Sequence, residues 1–509
     1  MKITILSLHN YRLSTSLSYM HKLALNEKGL DSHYVHFPKT QAAHLSGRDK
    51  DALVNFCKDA DIVGISLMTN FFELAAEITM LIKNRLSSRV IWGGTHPQFL
   101  PDDCLKYADE IFLGEADNSH FIDYLKEPDK EHDFILKKHE LTKMPAKKRN
   151  YVLTEDLDSL PAYTFDEPNF FVYENGNFMA MTDISTRRKY VGNVHYLVSS
   201  RGCPYSCSYC CNNAFKKNNP RYARIRKFSI NKIIDDISKV IEKNDSVRSV
   251  QFGDDDFYSR SLEELRQFHD QWNNRIKLPF SSCATPHEAL RDEKMRLLVD
   301  AGMNILEIGV QTGSERIRRE LYKRPEPNEM INKCIAQSKD YKKLDIFFDF
   351  MLDNPWETQD DMLETLEMVL KIKPQGKFAH SLFSLTLYPG TELYEKGVKE
   401  GLIQRNDPKV YKKHYFTLQN SFINSCIVLF ARLDVPEGVI RWLLTRRNTW
   451  PVNLLNHSTR LLLGFYVLKI GLRNLVFKGK TDVLRSALNY ALDLIKGKIF
   501  AKRYAKNRI

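Results

Sequence analysis

The sequence predicts an α/β protein with an amino-terminal doubly wound, Rossmann-like domain, a partial (β/α)6 barrel and a mostly helical, basic carboxyl-terminal region. Strand and helix patterns alternate over residues 1–135 and again over 191–400, and the charge changes at residue 401. We expect one domain in each of these parts and an irregular linker over 136–190, where the periodicity is lost. A chain of 509 residues is long enough for two to four domains.

Four short apolar runs predict the strands of the first domain: Ile3–Leu8, 61–67, 89–94 and Asp109–Leu113. Helical patterns separate them, at Tyr19–Gly29 and Phe71–Asn84. Strands joined by helices form parallel sheets, and such sheets bind ligands beyond the carboxyl ends of their strands. The loops at those ends are the candidate ligand loops, at 66–70, 93–97 and 114–117, and the glycines in the last two let the backbone approach a ligand closely.

The second domain contains six strand-like runs, separated by helical patterns such as Ile230–Ile241: 195–200, 247–252, 279–284, 303–310, 344–352 and 380–387. Six repeats are too few for a closed eight-stranded barrel, so an open barrel with its chemistry at the strand carboxyl ends is expected. Three further helices are predicted in the last region, at Ser421–Leu433, Leu461–Phe477 and Val483–Ile499.

The charge distribution and the composition indicate in which cellular compartment the protein occurs. Residues 401–509 contain 20 Lys and Arg against 5 Asp and Glu, a net charge of +15, whereas the whole chain carries +12. The amino end has no basic region before its apolar run, and no uninterrupted apolar run is long enough for a transmembrane helix. Five of the nine cysteines are scattered, which favours a reducing, cytoplasmic compartment over a disulfide framework.

The other four cysteines lie together in GCPYSCSYCC, directly after a predicted strand. The spacing Cys203-x3-Cys207-x2-Cys210 can direct three thiolates at one metal site. Structural zinc requires four ligands, and Cys211 could supply the fourth only by doubling back. No second Cys-x2-Cys pair exists elsewhere in the chain. An iron–sulfur cluster with one open iron therefore fits better than zinc.

With Tyr209 before its last cysteine, this loop resembles the signature of the radical S-adenosylmethionine enzymes. The resemblance implies that Cys203, Cys207 and Cys210 hold a 4Fe–4S cluster whose fourth iron binds S-adenosylmethionine, with Tyr209 near the adenine. Gly253, Asp254 and Asp255 resemble the motif that receives the methionine ammonium, although the family carries Glu rather than Asp. Glu307 and Gln311 resemble the fourth-strand positions that meet the ribose or the methionine end.

Two turns complete this resemblance. DNPWET (353–358) corresponds to a Gly-x-Pro-Gly-Glu-Thr turn, with Asp353 and Trp356 in place of the glycines. YPGT (388–391) corresponds to the end of the sixth strand.

Together with the amino-terminal domain, residues 1–400 resemble the cobalamin-binding branch of this family. The cofactor-facing loops would be 64–69, 93–101 and 108–117, and the implied cobalamin-binding residues are Ser66, Thr69, Gly93, Gly94, Gly114 and Glu115. Asp-x-His-x-x-Gly, which supplies a histidine ligand to cobalt in many cobalamin domains, is absent from the sequence. We therefore expect cobalt without a protein histidine, and His9 and His96 as ordinary loop residues.

The resemblance implies an enzyme in which a 5′-deoxyadenosyl radical takes hydrogen from an unactivated carbon and methylcobalamin supplies a methyl group. Ring closure or rearrangement without methylation is the alternative. A transfer-RNA methylthiotransferase is less well supported, because it needs further amino-terminal cysteines and only Cys57 and Cys104 precede the loop. A cobalamin sensor would not need the cysteine loop, and the tail shows no nucleic-acid-binding motif.

The implied partners are an electron donor such as flavodoxin or ferredoxin and a small-molecule or lipid-like substrate. The basic tail predicts contact with an anionic membrane surface, so that the cytoplasmic protein would be peripheral on the inner face of the membrane. A helical cap with a solvated basic face is the alternative interpretation of the tail. The sequence names neither the substrate nor the oligomeric state.

Overall fold

The computed structural model describes residues 1–9, 13–38, 44–138, 149–372, 380–413 and 415–478. The chain divides into two compact units. The first comprises residues 1–280, 300–302 and 387–412, and the second comprises 281–299, 303–386 and the residues from 413 onward. The predicted domain boundaries follow the sequence pattern rather than this division, and they stay predictions.

An eight-stranded sheet forms the amino-terminal part of the first unit. Its strands are β1 (Lys2–Leu8), β2 (Asp31–His36), β3 (Ile62–Leu67), β4 (Arg89–Gly93), β5 (Glu110–Phe112), β6 (Ile135–Lys137), β7 (Phe170–Glu174) and β8 (Asn177–Ala180). They lie in the order β6-β5-β4-β3-β1-β2-β7-β8. The pairs of β1 with β2 and β3, β2 with β7, β3 with β4, and β4 with β5 are parallel. The two edge pairs are antiparallel. The doubly wound prediction is confirmed.

Helices and short 3-10 turns connect these strands, and the apolar faces of the helices bury a core of Leu, Ile, Val and aromatic side chains against the sheet. The helices are α1 (Thr15–Leu25), α2 (Gly47–Cys57), α3 (Phe72–Arg85), α4 (Thr95–Phe99), α5 (Pro101–Cys104), α6 (Ser119–Lys126) and α7 (Ile184–Val191). The turns are Thr69–Phe71 and Leu157–Ser159. Side-chain caps fix several helix starts, as at Ser46, where Asp49 completes a capping box.

The expectation of irregular structure over 136–190 is wrong in part. Strand β7 pairs in parallel with β2, and β8 returns beside it as a hairpin. Both β7 and β2 were absent from the predicted strands, because β2 (DSHYVH) contains mostly polar residues and β7 is flanked by Pro and Asn. Strand β2 lies between β1 and β7 in the sheet, and pairing between segments so far apart in the chain leaves no local pattern in the sequence.

A second sheet contains six strands that follow one another across the sheet in chain order. They are β9 (Val194–Leu197), β12 (Ser249–Phe252), β13 (Phe280–Ala284), β14 (Met303–Gln311), β15 (Asp345–Leu352) and β16 (His380–Ser384). Strands β10 (Ser200–Arg201) and β11 (Arg226–Lys227) form a separate antiparallel pair. Parallel pairing joins β9 to β12, β14 to β15, and β15 to β16. This arrangement confirms the predicted six-stranded, open half-barrel.

The helices of this part are α8 (Cys211–Asn218), α9 (Ile230–Lys243), α10 (Leu262–Gln271), α11 (Pro286–Ala289), α12 (Asp292–Asp300), α13 (Asn328–Ser338), α14 (Gln359–Lys371), α15 (Glu392–Lys399) and α16 (Pro408–Lys412). Shorter helical turns lie at Pro220–Ala223, Phe257–Ser259, Trp272–Ile276 and Ile317–Leu321. The strongly amphipathic α9 buries four isoleucines and Val240 on one face, as its sequence spacing predicts.

The carboxyl-terminal region is helical, as predicted. It contains α17 (Phe422–Leu433), α18 (Glu437–Thr445), a 3-10 turn (Val452–His457) and α19 (Thr459–Lys478). The predicted helix at Val483–Ile499 lies outside the described residues. Within the described parts of the chain, no helix combines the length and apolar character needed to cross a bilayer.

Candidate functional site

The cysteine loop connects β10 to α8 in the first unit. Strand β10 pairs with β11, and the backbone N–H of Cys203 donates to the Tyr222 carbonyl at 3.2 Å. Gly202 has φ +96°, and a Cβ there would lie 2.4 Å from the Arg224 carbonyl oxygen. Only glycine fits that left-handed, crowded position without strain. The chain therefore turns sharply just before its first cysteine.

Hydrogen bonds from Lys216 and Leu393 fix the rest of the loop. The Lys216 ammonium donates to the carbonyl oxygens of Pro204 (3.2 Å) and Tyr205 and to the Ser206 hydroxyl (3.1 Å). The N–H of Leu393 donates to the Ser208 carbonyl at 3.1 Å. The segment between Cys203 and Cys207 is thus held from the adjoining helix α8, and Tyr209 lies half-buried beyond it.

No disulfide joins the thiols of this loop, and they lie close enough to influence one another. Burial raises the pKa of Cys203 to about 12, and the charges of Asp255, Cys210 and Cys207 add to this rise. A hydrogen bond between Cys210 and Cys211 raises the pKa of Cys210 and lowers that of Cys211. Among the described residues, no three His, Cys, Asp or Glu side chains have already converged on a metal-ion position. The donor set suits iron, and metal binding itself would draw the thiolates together.

The two aspartates after β12 differ sharply. The buried Asp254 accepts hydrogen bonds from the Ser199 backbone N–H and from the Ser199 hydroxyl at 2.6 Å. Asp255 is exposed at the surface. Protein atoms packed around its carboxyl group exclude water and raise its pKa to about 6, and the charge of the neighbouring Asp254 adds to this rise. A hydrogen bond from Asn212 acts in the opposite direction. Gly253 is required because a Cβ there would lie 2.0 Å from the Tyr196 hydroxyl. The structure thus commits Asp254 to the protein and leaves Asp255 open to a ligand.

The predicted residues Glu307 and Gln311 belong to the second unit, on β14. Burial alternates along β14, and both side chains lie on its partly accessible face. The Cys283 thiol lies 3.9 Å from a Glu307 carboxylate oxygen. A Cβ on Gly309 would lie 2.5 Å from the Gln311 amide nitrogen, so this glycine makes room for the glutamine.

Asp353 compensates for the glycine that it replaces in the turn after β15. It adopts the left-handed conformation, with φ +64°. Its carboxylate accepts hydrogen bonds from Ser384 Oγ at 2.5 Å, Gln419 N at 2.9 Å and Asn424 Nδ2 at 2.7 Å. Asp is one of the few residues other than glycine that adopt this conformation, and these three bonds to distant residues hold Asp353 in it. The departure from the family pattern therefore leaves the turn intact.

The carboxyl ends of β1 to β4 meet at one edge of the eight-stranded sheet. Nothing lies within 4 Å of a Cβ built on Gly93, so this backbone is open to a bulky ligand. Gly94 and Gly114 have positive φ, and a Cβ on either would strike the backbone, at Leu67 and Val152 respectively. The structure thus needs these two glycines for its own packing.

Polar side chains at this edge include both predicted and unpredicted residues. Ser66 Oγ lies 3.3 Å from His9 Nε2, and the buried Thr69 lies 3.1 Å from His96 Nδ1. His36, at the end of β2, is fully buried, and neither ring nitrogen has a hydrogen-bond partner among the described residues. His36 is thus a buried polar side chain whose hydrogen-bonding capacity is unmet in the structure, which is uncommon in folded proteins.

The side chain of Glu115, predicted to face a cofactor, is instead part of an ion-pair network. Its carboxylate accepts from Arg226 at 2.7 and 2.8 Å, from Arg201 at 3.2 Å and from the Thr154 N–H at 2.9 Å. Asp117 binds Arg201 through two hydrogen bonds, at 2.5 and 2.8 Å. Through Arg201 on β10 and Arg226 on β11, these ion pairs bind the strands on either side of the cysteine loop to the loop after β5.

Sequence reasoning missed Arg201, Arg226, Asp117, Lys216 and His36. Arg201 and Lys216 lie within a few residues of the cysteines, and this closeness in the sequence could have identified them as residues that position the loop. The partners of Arg226 lie more than 70 residues away, so no local pattern could identify them. His36 was missed together with its strand.

Comparisons with known proteins identify a family match over part of the chain. Residues 197–369 match the model of the Radical SAM superfamily. The chain is 24% identical over 420 residues to a bacteriochlorophyllide d C-8(2)-methyltransferase of Chlorobaculum tepidum, covering 80% of this chain and 84% of that protein.

Two solved structures share the fold. One is TsrM of Kitasatospora setae, a radical S-adenosylmethionine methyltransferase with cobalamin and a 4Fe–4S cluster bound. It has a TM-score of 0.58 at 14% identity, over 80% of this chain and 76% of that chain. The other is OxsB, a cobalamin-dependent S-adenosylmethionine radical enzyme with aqua-cobalamin and S-adenosylmethionine bound. It has a TM-score of 0.61 at 15% identity, over 97% of this chain and 71% of that chain.

The doubly wound sheet and the half-barrel together have the fold of those two proteins. We conclude that residues 197–369 form a Radical SAM domain and that the chain has the fold of cobalamin-dependent S-adenosylmethionine radical enzymes.

Proposed function

We propose that the protein is a cobalamin-dependent radical S-adenosylmethionine enzyme that methylates an unactivated carbon atom of its substrate. The observation that carries this proposal is the ion-pair contact between the cysteine loop and the carboxyl edge of the eight-stranded sheet. Arg201, two residues before Cys203, is bound by Asp117 and Glu115 from the loop after β5. The candidate cluster loop and the candidate cobalamin edge thus belong to one compact unit, and an enzyme that combines two cofactors must hold them close together.

The residues near each site have distinct roles in this proposal. Cys203, Cys207 and Cys210 would hold the 4Fe–4S cluster, and Asp255 would accept hydrogen bonds from the ammonium of S-adenosylmethionine. Gly253 lets Tyr196 lie close to the backbone beside Asp255, and Tyr209 would adjoin the adenine. Glu307 and Gln311 would bind the ribose or the methionine end. When bound, the cluster supplies the electron that cleaves S-adenosylmethionine to a carbon radical, and cobalamin supplies the methyl group.

The sheet edge supports the cobalamin part of the proposal. Gly93 leaves its backbone open, and the half-buried Ser66 lies at the same edge, where a corrin amide could pair with its hydroxyl. His9 and His96 have pKa values lowered to about 4 by burial, and both contact protein hydroxyls. We keep the prediction that cobalt has no protein histidine ligand.

The alternatives differ in how far the structure supports them. A radical enzyme that binds cobalamin without methylating its substrate would use the same site residues. A methylthiotransferase needs a second cluster, but Cys57 and Cys104 are fully buried in the core of the doubly wound sheet. The partners remain those expected from sequence: an electron donor of the flavodoxin or ferredoxin type, and a small-molecule or lipid-like substrate.

The test is anaerobic reconstitution with iron, sulfide and hydroxocobalamin, followed by a low-potential reductant and S-adenosylmethionine with a deuterated methyl group. We expect 5′-deoxyadenosine and a deuterated methyl group on the cobalamin, both measured by mass spectrometry. Cys203→Ala should lose the cluster absorbance and 5′-deoxyadenosine, whereas Cys211→Ala should keep both. Formation of 5′-deoxyadenosine without cobalamin methylation would favour the non-methylating alternative. A chain that retains neither cofactor would contradict the proposal.

A further inference from the structure

Large apolar side chains are exposed in one short part of the carboxyl-terminal region. Across the described residues ten large hydrophobic side chains are exposed, and six of them lie between residues 439 and 465. They are Trp450 (80% exposed), Leu454 (54%), Phe465 (53%), Trp442 (51%), Val439 (43%) and Leu461 (42%). Single exposed apolar residues are ordinary, but such a concentration marks an interaction surface.

The secondary structure explains why these side chains face outward. On α18, Val439 and Trp442 are three residues apart, and on α19, Leu461 and Phe465 are four apart, so each pair shares one helix face. The opposite faces are occupied, since Ile440, Val452 and Val467 are buried. Trp450 and Leu454 lie between the two helices. The segment is thus apolar on both sides. Its inner side packs against the protein, and no described residue covers its outer side.

Arginines adjoin this exposed set. The Arg446 guanidinium lies over the Trp442 ring, 5.6 Å from its centroid, and neither Arg446 nor Arg447 forms an ion pair among the described residues. Arg441 and Lys469, in contrast, are paired with Glu367 and Asp434. Residues 437–469 carry five Lys and Arg and one Glu, a net charge of +4. Exposed tryptophans next to unpaired arginines suit an anionic lipid surface, where aromatic rings settle among the head groups.

We propose that this face, which we call the docking face (Val439, Trp442, Trp450, Leu454, Leu461 and Phe465), binds the surface of an anionic lipid bilayer. Because no described helix can cross a bilayer, the segment would lie in the interface. A second copy of the chain is the weaker candidate, since a twofold contact through the same face would bring Arg446 and Arg447 close to their own counterparts. The proposal gives the lipid-like substrate of the proposed function a physical route to the enzyme.

The test uses the full chain as purified, without iron, cobalamin or S-adenosylmethionine, so its result is independent of the proposed chemistry. Protein is sedimented with vesicles of phosphatidylcholine alone or of equal parts phosphatidylcholine and phosphatidylglycerol, at low and high potassium chloride. We expect binding to the anionic vesicles at low salt and a clear loss at high salt. Tryptophan emission should shift to shorter wavelength on binding. Because Trp92 and Trp272 are already fully buried and the half-buried Trp356 lies outside the docking face, Trp442→Phe together with Trp450→Phe should remove most of the shift.

Matched substitutions separate this face from the rest of the surface. Trp450→Glu with Phe465→Glu should weaken vesicle binding at least tenfold, whereas Met80→Glu with Ile184→Glu, at similarly exposed apolar sites, should not change it. Arg446→Gln and Arg447→Gln should each cost about fivefold. Three results would overturn the proposal: no binding to anionic vesicles at low salt, equal binding by the paired glutamate variants, or a dimer of the full chain that the same glutamates dissolve.

Discussion

Two neighbouring carboxylates, Asp254 and Asp255, show how a single residue's surroundings decide its use. Both follow β12, and both carry the same chemistry in the sequence. Asp254 is nearly inaccessible and its oxygens accept from Ser199, with the charge of Arg260 nearby. Burial raises the pKa of Asp254, and the Arg260 charge and the Ser199 hydrogen bonds oppose that rise. Only Asp255 can exchange its present surroundings for a ligand without breaking the fold.

We predict that Asp255→Asn weakens S-adenosylmethionine binding roughly tenfold to a hundredfold, which is the worth of a charged hydrogen bond. The cluster should remain, as judged by its absorbance and electron paramagnetic resonance spectrum. Asp254→Asn should instead lower thermal stability, because it disturbs a buried pairing with Ser199. If Asp255→Asn binds S-adenosylmethionine as tightly as the parent chain, Asp255 is not in the site.

The pH dependence of this binding follows from the same group. The pKa of Asp255 is raised to about 6 in the ligand-free chain, so below pH 6 the carboxyl is neutral and a weaker acceptor for an ammonium. Affinity for S-adenosylmethionine should therefore fall as the pH drops through about 6, and the Asn variant should lack this dependence. Isothermal titration of the reconstituted chain at several pH values would measure both.

At the scale of secondary-structure elements, the ion-pair network determines where the cysteine loop lies. Strands β10 and β11 have two residues each, and backbone hydrogen bonds between such short strands cannot fix a loop by themselves. Arg226 is 1% exposed and Asp117 is 1% exposed, so these charges are strongly desolvated and depend on one another. Although burial lowers the pKa of Arg201, the carboxylates of Asp117 and Glu115 outweigh that effect and raise it.

We predict that Asp117→Asn destabilises the loop by about 3–5 kcal/mol, because it leaves two buried arginines with a single carboxylate. The matched control is Asp245→Asn, whose partner Arg188 is also exposed, and because water screens such a pair its loss should have little effect on stability. Hydrogen exchange at the amides of Arg201 and Cys203 is the suitable measurement, since a chain of two units need not unfold in one step. Equal protection in both variants would contradict the positioning role.

The elements also show what the sequence alone could predict. Strands β1, β3 and β4 were predicted to within a residue or so, because each is an apolar run buried on both faces. The half-barrel strands followed from the same pattern, and the cysteine spacing predicted the loop directly. Strand β2 and the β7–β8 hairpin depend on pairing between distant segments. The different roles of Asp254 and Glu115 arise from partners that are remote in the chain, so no spacing could reveal them.

For the whole molecule, the distribution of buried histidines sets the response to acid. In the first unit, burial lowers the pKa of His36 to about 3 and those of His9, His21, His96 and His195 to about 4. The second unit has one such residue among those described, His380, with a pKa of about 4. Burial and the charge of Asp361 raise the pKa of Glu357, in the same unit, to about 8. Because the folded unit then binds this proton more tightly than the unfolded chain does, Glu357 stabilises the second unit as the pH falls.

The sign follows from comparing the folded and unfolded chains. An unfolded histidine takes up a proton as the pH falls below about 6.5, whereas these buried rings stay neutral until about 4. The free energy of unfolding therefore falls as the pH drops from about 6.5 to about 4. Each histidine whose pKa is about 4 in the folded chain and about 6.5 in the unfolded chain contributes about 3 kcal/mol to this fall. Asp236, Asp254 and Asp255 have raised pKa values and oppose this loss, but Asp255 does so mainly below about pH 6.

We predict that the first unit loses its structure before the second as the pH is lowered from 7 towards 5. Urea titrations at successive pH values, followed by hydrogen exchange and mass spectrometry, would locate the unfolding unit. His195, enclosed by Tyr163 and Phe165, provides the test residue, and the exposed His457 provides the control. His195→Gln should lessen the pH dependence of the unfolding free energy by up to about 1.4 kcal/mol per pH unit, because one titrating group is removed, while His457→Gln should leave it unchanged. Simultaneous acid unfolding of the two units with an unchanged slope in His195→Gln would show that groups other than the buried histidines control acid stability.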